Sequence, residues 1–214
     1  DYLTRLRAAR DYPVIKLKLG SGSWEQDLRY VQIARQELDG QIAVDANGGW
    51  DADSALAIIP TLMQIGMLFI EQPVARDDWE GWRILHQSLP EDRPPLIADE
   101  SVQGVEHVAV IADVVDGINI KLAKCGGLRP AHQMIALARA LGLKILLGCM
   151  VESSVAVTAA AHLAPLVDYA DLDGNVLIAN DPYRGVTNTR GQLTLPTGPG
   201  LGAVSYTHLT LPTK

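Results

Sequence analysis

Cysteine is nearly absent: Cys125 and Cys149 are the only two in 214 residues. They are spaced unlike a CxxC metal pair, and two are too few for a disulfide framework. No apolar run reaches the roughly 18–20 residues of a membrane span, and the N-terminus carries no signal-peptide pattern. Basic residues are in deficit, with 18 Lys and Arg against 25 Asp and Glu and a net charge of −7. No basic stripe stands out, which argues against a nucleic-acid surface. Low-complexity sequence is also missing. The remaining composition, 48% hydrophobic and 20% charged, suits one globular domain with a substantial core. A soluble, cytoplasmic protein with neither nucleic acid nor membrane as partner is expected, and a homo-oligomer is compatible with the sequence.

Against that background one stretch is unusual. Val14-Ile15-Lys16-Leu17-Lys18-Leu19-Gly20 has strand composition but sets two lysines among aliphatic residues. Strand side chains alternate, so Lys16 and Lys18 share one face while Ile15, Leu17 and Leu19 take the other. Two like charges side by side are costly to bury without anionic partners. The sequence should therefore supply acids that meet them.

Taken in order, the chain alternates helices with short apolar strands. Tyr2–Arg10 reads as the latter part of an amphipathic helix with no N-cap, as if the chain began inside a longer protein. After the lysine strand, Gly20-Ser21-Gly22-Ser23 is a loop without the further glycine and lysine of a P-loop. Ser23 is placed to cap a helix running to about Leu38, with Gly40 as its C′ glycine. The strand from Gln41 ends in Asp45-Ala46-Asn47, and Asp51 or Asp53 then caps a helix to about Ile65, bent at Pro60. Met67–Pro73 stops at Glu71, and a Trp-containing loop and helix lead to Leu96–Glu100, which stops at Asp99. Further strands are expected at Gly117–Leu122, Lys144–Met150 and Tyr169–Asp173, with helices near 105–112, 128–141 and 153–163 between them.

Seven βα units with nearly continuous apolar strands imply a parallel sheet covered by helices. Their number fits a (β/α) barrel of the TIM type lacking one strand better than an open sheet, and eight strands would close it. Nearly every strand ends on an ionisable group: Lys16 and Lys18, Asp45, Glu71, Asp99 and Glu100, Lys121, Asp171 and Asp173. Any one of these could be a helix cap or a solvated loop charge. The set as a whole could not, since caps would use Ser, Thr and Asn equally and would not put lysines inside strands. On Gly117–Leu122, Ile118, Ile120 and Leu122 face the helices, so Asn119 and Lys121 face the axis.

The residue types then suggest chemistry. Asp45, Glu71 and Asp99 come from successive strand ends and can converge on one hard cation, with Mg²⁺ favoured by carboxylate oxygens and zinc disfavoured because no histidine ligands are evident. Lysines on opposite sides of the barrel could act as acid and base on the two faces of an α-carbon. Like charge and Mg²⁺ would lower their pKa values toward the working pH. Cys125 and Cys149 read as small apolar packing groups. His86, His107, His132 and His162 fall on expected helices as fillers, and Trp50 near Asn47 is placed to line the mouth.

The ordered motifs KxK (Lys16, Lys18), DxN (Asp45, Asn47), EQP (Glu71), DES (Asp99, Glu100) and KxxxxGG (from Lys121) resemble the enolase superfamily, in its muconate-lactonizing subgroup. The resemblance spans Pro13 to Gly202. Asp171-Leu172-Asp173-Gly174 looks like the DxD of that subgroup's dipeptide epimerases, and Gly148-Cys149-Met150-Val151-Glu152-Ser153 looks like their preceding strand segment.

The resemblance implies a modified (β/α)7β barrel, here without its first strand and N-terminal capping domain. It also implies one Mg²⁺ on Asp45, Glu71 and Asp99, binding the carboxylate of a dipeptide. Lys18 and Lys121 would exchange the α-proton through an enolate, with Lys16 stabilising charge and Glu100 orienting a lysine. Superfamily lysine bases with Mg²⁺ are an established pattern. Asp171 and Asp173 would hold the α-ammonium group, and Asn47, Cys149 and Met150 would also face the substrate. A cycloisomerase, an o-succinylbenzoate synthase, an N-acylamino acid racemase, an inactive scaffold and a Schiff-base aldolase remain alternatives. Residues 1–202 are expected to form the barrel domain. Residues 203–214 do not read as its continuation and are expected to be a foreign tail.

Overall fold

The lysine strand pairs as its alternation requires. In the computed structural model, which describes residues 2–205, β1 (Val14–Lys18) runs parallel to β2 (Gln41–Asp45), with Lys18 opposite Asp45. The series continues through β3 (Met67–Glu71), β4 (Leu96–Ala98), β5 (Gly117–Lys121), β6 (Lys144–Gly148) and β7 (Tyr169–Asp171). These make one seven-stranded sheet whose spatial order is the sequence order. Every neighbouring pair within it is parallel. Nearest-neighbour order with helical crossovers is the winding of a βα barrel. The sheet curls far enough to bring Lys16 of β1 within 2.5 Å of Asp171 of β7.

Helices α1 (Tyr2–Ala9), α2 (Trp24–Glu37), α3 (Ala52–Ile65), α4 (Trp79–Ser88), α5 (Val105–Ile111), α6 (Leu122–Cys125), α7 (Leu128–Ala140) and α8 (Ser154–Ala161) fill the connections. Local chemistry sets their ends. Ser23 caps α2, and the Asp51 carboxylate accepts from the Ser54 N–H at 2.8 Å to start α3. Gly66, at φ 83°, ends α3, which continues unbroken through Pro60. The Gly40 expectation is corrected. The α2 C-cap is Leu38 in an extended conformation, and Gly40 sits where a Cβ would come 2.9 Å from the Tyr12 and Pro13 carbonyl oxygens.

Alternation sorts the strands' side chains. Ile42, Val44, Ile70, Leu96, Ala98, Ile118, Ile120, Ile145 and Leu147 point outward into the core shared with the helices. Ala43, Phe69, Ile97 and Leu146 form a separate inner cluster, with Tyr169 packed against it and its ring 5.0 Å from Phe69. This inner apolar layer is a floor, and the next inward residue on each strand stands one layer above it. After β7 come two antiparallel pairs, β9 (Thr187–Thr189) with β10 (Gln192–Thr194) and β8 (Tyr183–Arg184) with β11 (Val204–Ser205). Most of the expected foreign tail, residues 206–214, lies outside the described residues. Among those described, no helix is long and apolar enough to cross a membrane.

Candidate active site

The residues directly above the apolar floor are charged. Asp45 ends β2 and Glu71 ends β3, as register partners, while Asp99 follows β4. All three are buried, and one oxygen from each lies within 4.8 Å of the others. Three hard carboxylate oxygens without sulfur or imidazole suit Mg²⁺, so the donor set fits the group expected from the sequence.

Lysines surround this cluster. Lys16 Nζ is 2.8 Å from Glu71 Oε2, 2.5 Å from Asp171 Oδ2 and 3.9 Å from Asp45 Oδ2. Lys18 Nζ is 2.5 Å from Asp45 Oδ2, and Lys121 Nζ is 2.5 Å from Asp99 Oδ2. Lys18 and Lys121 thus flank the acids on two sides, with Glu71 between. The burial expected of both β1 lysines holds for one. The Lys16 side chain is 13% exposed, whereas that of Lys18 is 59% exposed at the rim. Gly148 makes room for the opposite wall, since a Cβ there would come 2.6 Å from Asn119 Oδ1 and 3.1 Å from Lys121 Cε.

The electrostatics follow from burial and sign. Burial, with Asp45 and Asp99 adding to it, pushes Glu71 up to about 7 despite Lys16. Burial also opposes ionisation of Asp99, but Lys124 and Lys121 outweigh it and hold the group down at about 2. For Lys16, burial disfavours the ammonium, and Glu71, Asp171 and Asp45 more than reverse that, so its pKa rises. Lys121 is raised too, burial being outweighed by Asp99. The lowered lysine pKa values expected from the sequence include the effect of Mg²⁺, whereas the carboxylates by themselves raise Lys16 and Lys121. A dication on those carboxylates would change the sign of the local field.

The remaining predicted residues fall around the rim. Asn47, in a left-handed conformation at φ 47°, donates from Nδ2 to Asp45 Oδ2 and to Glu100 Oε1, both at 3.3 Å. Glu100 therefore meets Asn47 rather than a lysine, and its Oε2 is buried without a partner. Asp173 is raised by burial and then by Asp171. Cys149 accepts the Gly174 N–H at 3.3 Å and donates to the Asp171 carbonyl at 3.4 Å. Burial pushes its thiol up to about 11, which fits the packing role. Met150 is exposed beside it.

Trp50 does not line the mouth. It is buried, and its indole N–H donates to Asp27 at 2.8 Å.

Several working residues escaped the sequence reading. Asp27, itself buried, also accepts the Gly20 N–H at 2.9 Å, tying the loop after β1 to the loop after β2. Gln72, at φ 38°, accepts the Asp99 and Ser101 N–H groups and donates to Val74 O and Ser101 Oγ. Lys124 Nζ lies 2.5 Å from Asp99 Oδ1, while Lys121 meets the other oxygen, Oδ2. The signal for Lys124 was its position inside the KxxxxGG motif, on the short helix α6 that follows directly on Lys121 at the end of β5.

Residues 1–205 match the family described as Enolase C-terminal domain-like. The chain belongs to that family. It is 42% identical over 194 residues to an L-Ala-D/L-Glu epimerase of Bacteroides thetaiotaomicron, covering 90% of this chain and 49% of that protein. An L-Ala-D/L-amino acid epimerase of Maribacter sp. is 40% identical over 204 residues, covering 94% and 58%. Among solved structures, the substrate-liganded L-Ala-D/L-Glu epimerase of Bacillus subtilis superposes with a TM-score of 0.88 at 28% identity, covering 95% of this chain and 59% of that one. A dipeptide epimerase of Cytophaga hutchinsonii, complexed with Mg and the dipeptide D-Ala-L-Val, gives 0.86 at 29% identity, covering 98% and 60%. The chain thus spans about half the length of the curated relatives it matches. The seven-stranded curled sheet is the corresponding part of the family's TIM-like barrel.

Proposed function

We propose that this chain carries the proton-transfer site of a Mg²⁺-dependent epimerase that inverts the C-terminal residue of a dipeptide. The observation that carries the reading is the placement of Lys18 and Lys121 on two sides of one buried carboxylate cluster, each 2.5 Å from a different member. Inverting a carbon centre by proton exchange needs a base on one face and an acid on the other. Two lysines reaching in from β1 and β5 supply that pair.

Asp45, Glu71 and Asp99 would hold one Mg²⁺, which when bound supplies positive charge against the negative charge that develops on the substrate carboxylate as its α-proton leaves. Lys18 Nζ, or Lys121 Nζ for the other epimer, takes the α-proton, and the opposed ammonium returns one to the other face. Lys16, held by Glu71 and Asp171, stays charged and adds to the same stabilisation. Asp173 has no lysine within ion-pair distance among the described contacts, and its raised pKa reflects burial and a neighbouring acid. A substrate ammonium group there would relieve both, which favours a dipeptide with a free N-terminus. Glu100 and Asn47 shape the lip over Asp45. The epimerases named above, one with Mg and a dipeptide bound, support the same reading.

Muconate lactonizing enzyme is also a neighbour, at a TM-score of 0.87 and 31% identity, so a cycloisomerase is the second reading. The test is isotopic. The complete protein with Mg²⁺ should exchange the α-proton of a dipeptide's C-terminal residue in ²H₂O, followed by NMR or mass spectrometry. Failure across a dipeptide panel would remove the proposal.

A further inference from the structure

Lys124 makes no contact with the centre of the site, yet it is among the most constrained side chains near it. Its side chain is 6% exposed. Its Nζ lies 2.5 Å from Asp99 Oδ1, 2.7 Å from Asp99 O, 2.9 Å from Asn119 O and 3.0 Å from Val102 O. An ammonium has three hydrogens, so four acceptors saturate it. Lys121 is different: its Nζ has one hydrogen-bond acceptor, Asp99 Oδ2. One lysine has hydrogens to spare for chemistry and the other has none.

The contacts of Lys124 also cross three segments, namely the end of β4, the turn after it and β5. Asp99 is gripped again from the β3 side, where Gln72 Oε1 accepts its N–H at 2.8 Å. Its N–H, its C=O and Oδ1 are thereby all engaged by Gln72 and Lys124, and Oδ2 is the oxygen they leave, met by Lys121. A carboxylate held this way cannot turn without stranding a buried ammonium.

We propose that Lys124 is a positioning residue: it locks the rotation of the Asp99 carboxylate so that Oδ2 alone is presented to the cation, and it supplies a fixed positive charge behind the cluster without competing for the oxygens in front. Groups that orient a metal's ligands typically change its affinity by about 10–100-fold when removed. The inference rests on the metal reading given above, and metal affinity itself separates the two.

The test is Lys124→Met in the complete protein, which keeps the aliphatic stem and removes charge and donors. Mg²⁺ affinity is read by calorimetry and Mn²⁺ affinity by electron paramagnetic resonance, with circular dichroism as the check on folding. The expected result is a Kd raised by about 10–100-fold, and a loss of α-proton exchange that is larger at limiting than at saturating Mg²⁺. Lys121→Met should lose the exchange of one epimer at every Mg²⁺ concentration. A folded Lys124→Met protein with the parent's Mg²⁺ affinity would overturn the proposal while leaving the metal site intact. A parent protein that binds no Mg²⁺ would overturn both readings. Should Lys124→Met fail to fold, Lys124→Gln, which retains two N–H donors, reads the same quantity. Failure of both to fold would make Lys124 a residue of the fold and count against the assignment.

Discussion

Lys16 on β1 and Asp171 on β7 lie 2.5 Å apart, although their strands are the two edges of the sheet. The ion pair ties the rim at the place where neighbouring strands elsewhere are tied by backbone hydrogen bonds. It also commits Asp171 to a lysine, which leaves Asp173 as the acid of the DxD pair available to a ligand.

Asp173→Asn should therefore act on substrate binding. A hydrogen bond to a charged group contributes about 1.5–3 kcal/mol, so KM for a dipeptide with a free N-terminus should rise by about 10–100-fold. The same substitution should barely alter KM for an N-acetylated substrate. Steady-state kinetics on the matched pair of substrates decides it, and equal KM changes for both would argue against an ammonium site.

The two lysines proposed to transfer protons, Lys18 and Lys121, should separate by stereochemistry. With Lys18→Met, one epimer should still wash its α-proton into ²H₂O through Lys121 while the other does not, and Lys121→Met should reverse the pattern. Net epimerisation should drop at least about 10²–10⁴-fold in both, the usual worth of a positioned acid or base. Loss of exchange from both epimers in both variants would contradict one lysine per face.

Glu71 gives the metal-free protein a pH signature. Its pKa is raised from the ordinary 4.5 to about 7 on folding, by burial first and then by Asp45 and Asp99, against Lys16. A raised acid stabilises the fold fully below its unfolded value, and that contribution is lost as pH rises through the folded value. Asp99, lowered to about 2 by Lys124 and Lys121 against burial, works oppositely: its contribution is present above 3.8 and is lost as pH falls through 2. With EDTA present, Glu71's contribution should fall between pH 4.5 and about 7, lowering Tm across that window. Mg²⁺ should flatten the decline, because it binds the ionised carboxylate. Near pH 6, Mg²⁺ binding should release a proton, seen as a binding enthalpy that tracks the buffer's ionisation enthalpy. Buffer-independent enthalpies would show that Glu71 is already ionised.

Gly49→Ala should loosen the site's lip. A Cβ at Gly49 would come 2.2 Å from the Gly20 carbonyl oxygen and 2.5 Å from Gly20 Cα. Backbone must move to admit it, at a cost of about 1–3 kcal/mol, which urea denaturation would register as a lower midpoint at unchanged m. A change within about 0.5 kcal/mol, the range of an ordinary surface substitution, would mean the two loops part freely.

The strands and their charged ends were legible in the sequence because a parallel barrel strand has to be apolar except where it meets the mouth. Lys121 could be read from its alternation with Ile118, Ile120 and Leu122. The contacts that join one unit to the next could not be read. Gly20 reads only as a loop glycine without P-loop spacing, and its meaning, a close backbone approach to Gly49, is encoded by no local pattern. Trp50 looked like a mouth residue because of its neighbour Asn47, and only the three-dimensional path of α2 reveals Asp27 as the partner of its indole. Asp27, Gln72 and Lys124 share this character. Each is a polar residue made necessary by burial between two loops distant in sequence, and burial of that kind is a property of the assembled sheet.

Because each strand of the main sheet pairs only with its sequence neighbours, the site's duties are distributed among consecutive units. Units two to four hold the carboxylate cluster, units one and five carry Lys18 and Lys121, and unit seven carries Asp171 and Asp173, the acids proposed above for the substrate's far end. On the proposed function, a change of substrate can be written in the seventh unit while the lysines and carboxylates of the first five are inherited unaltered, so preference and chemistry are free to evolve on separate schedules.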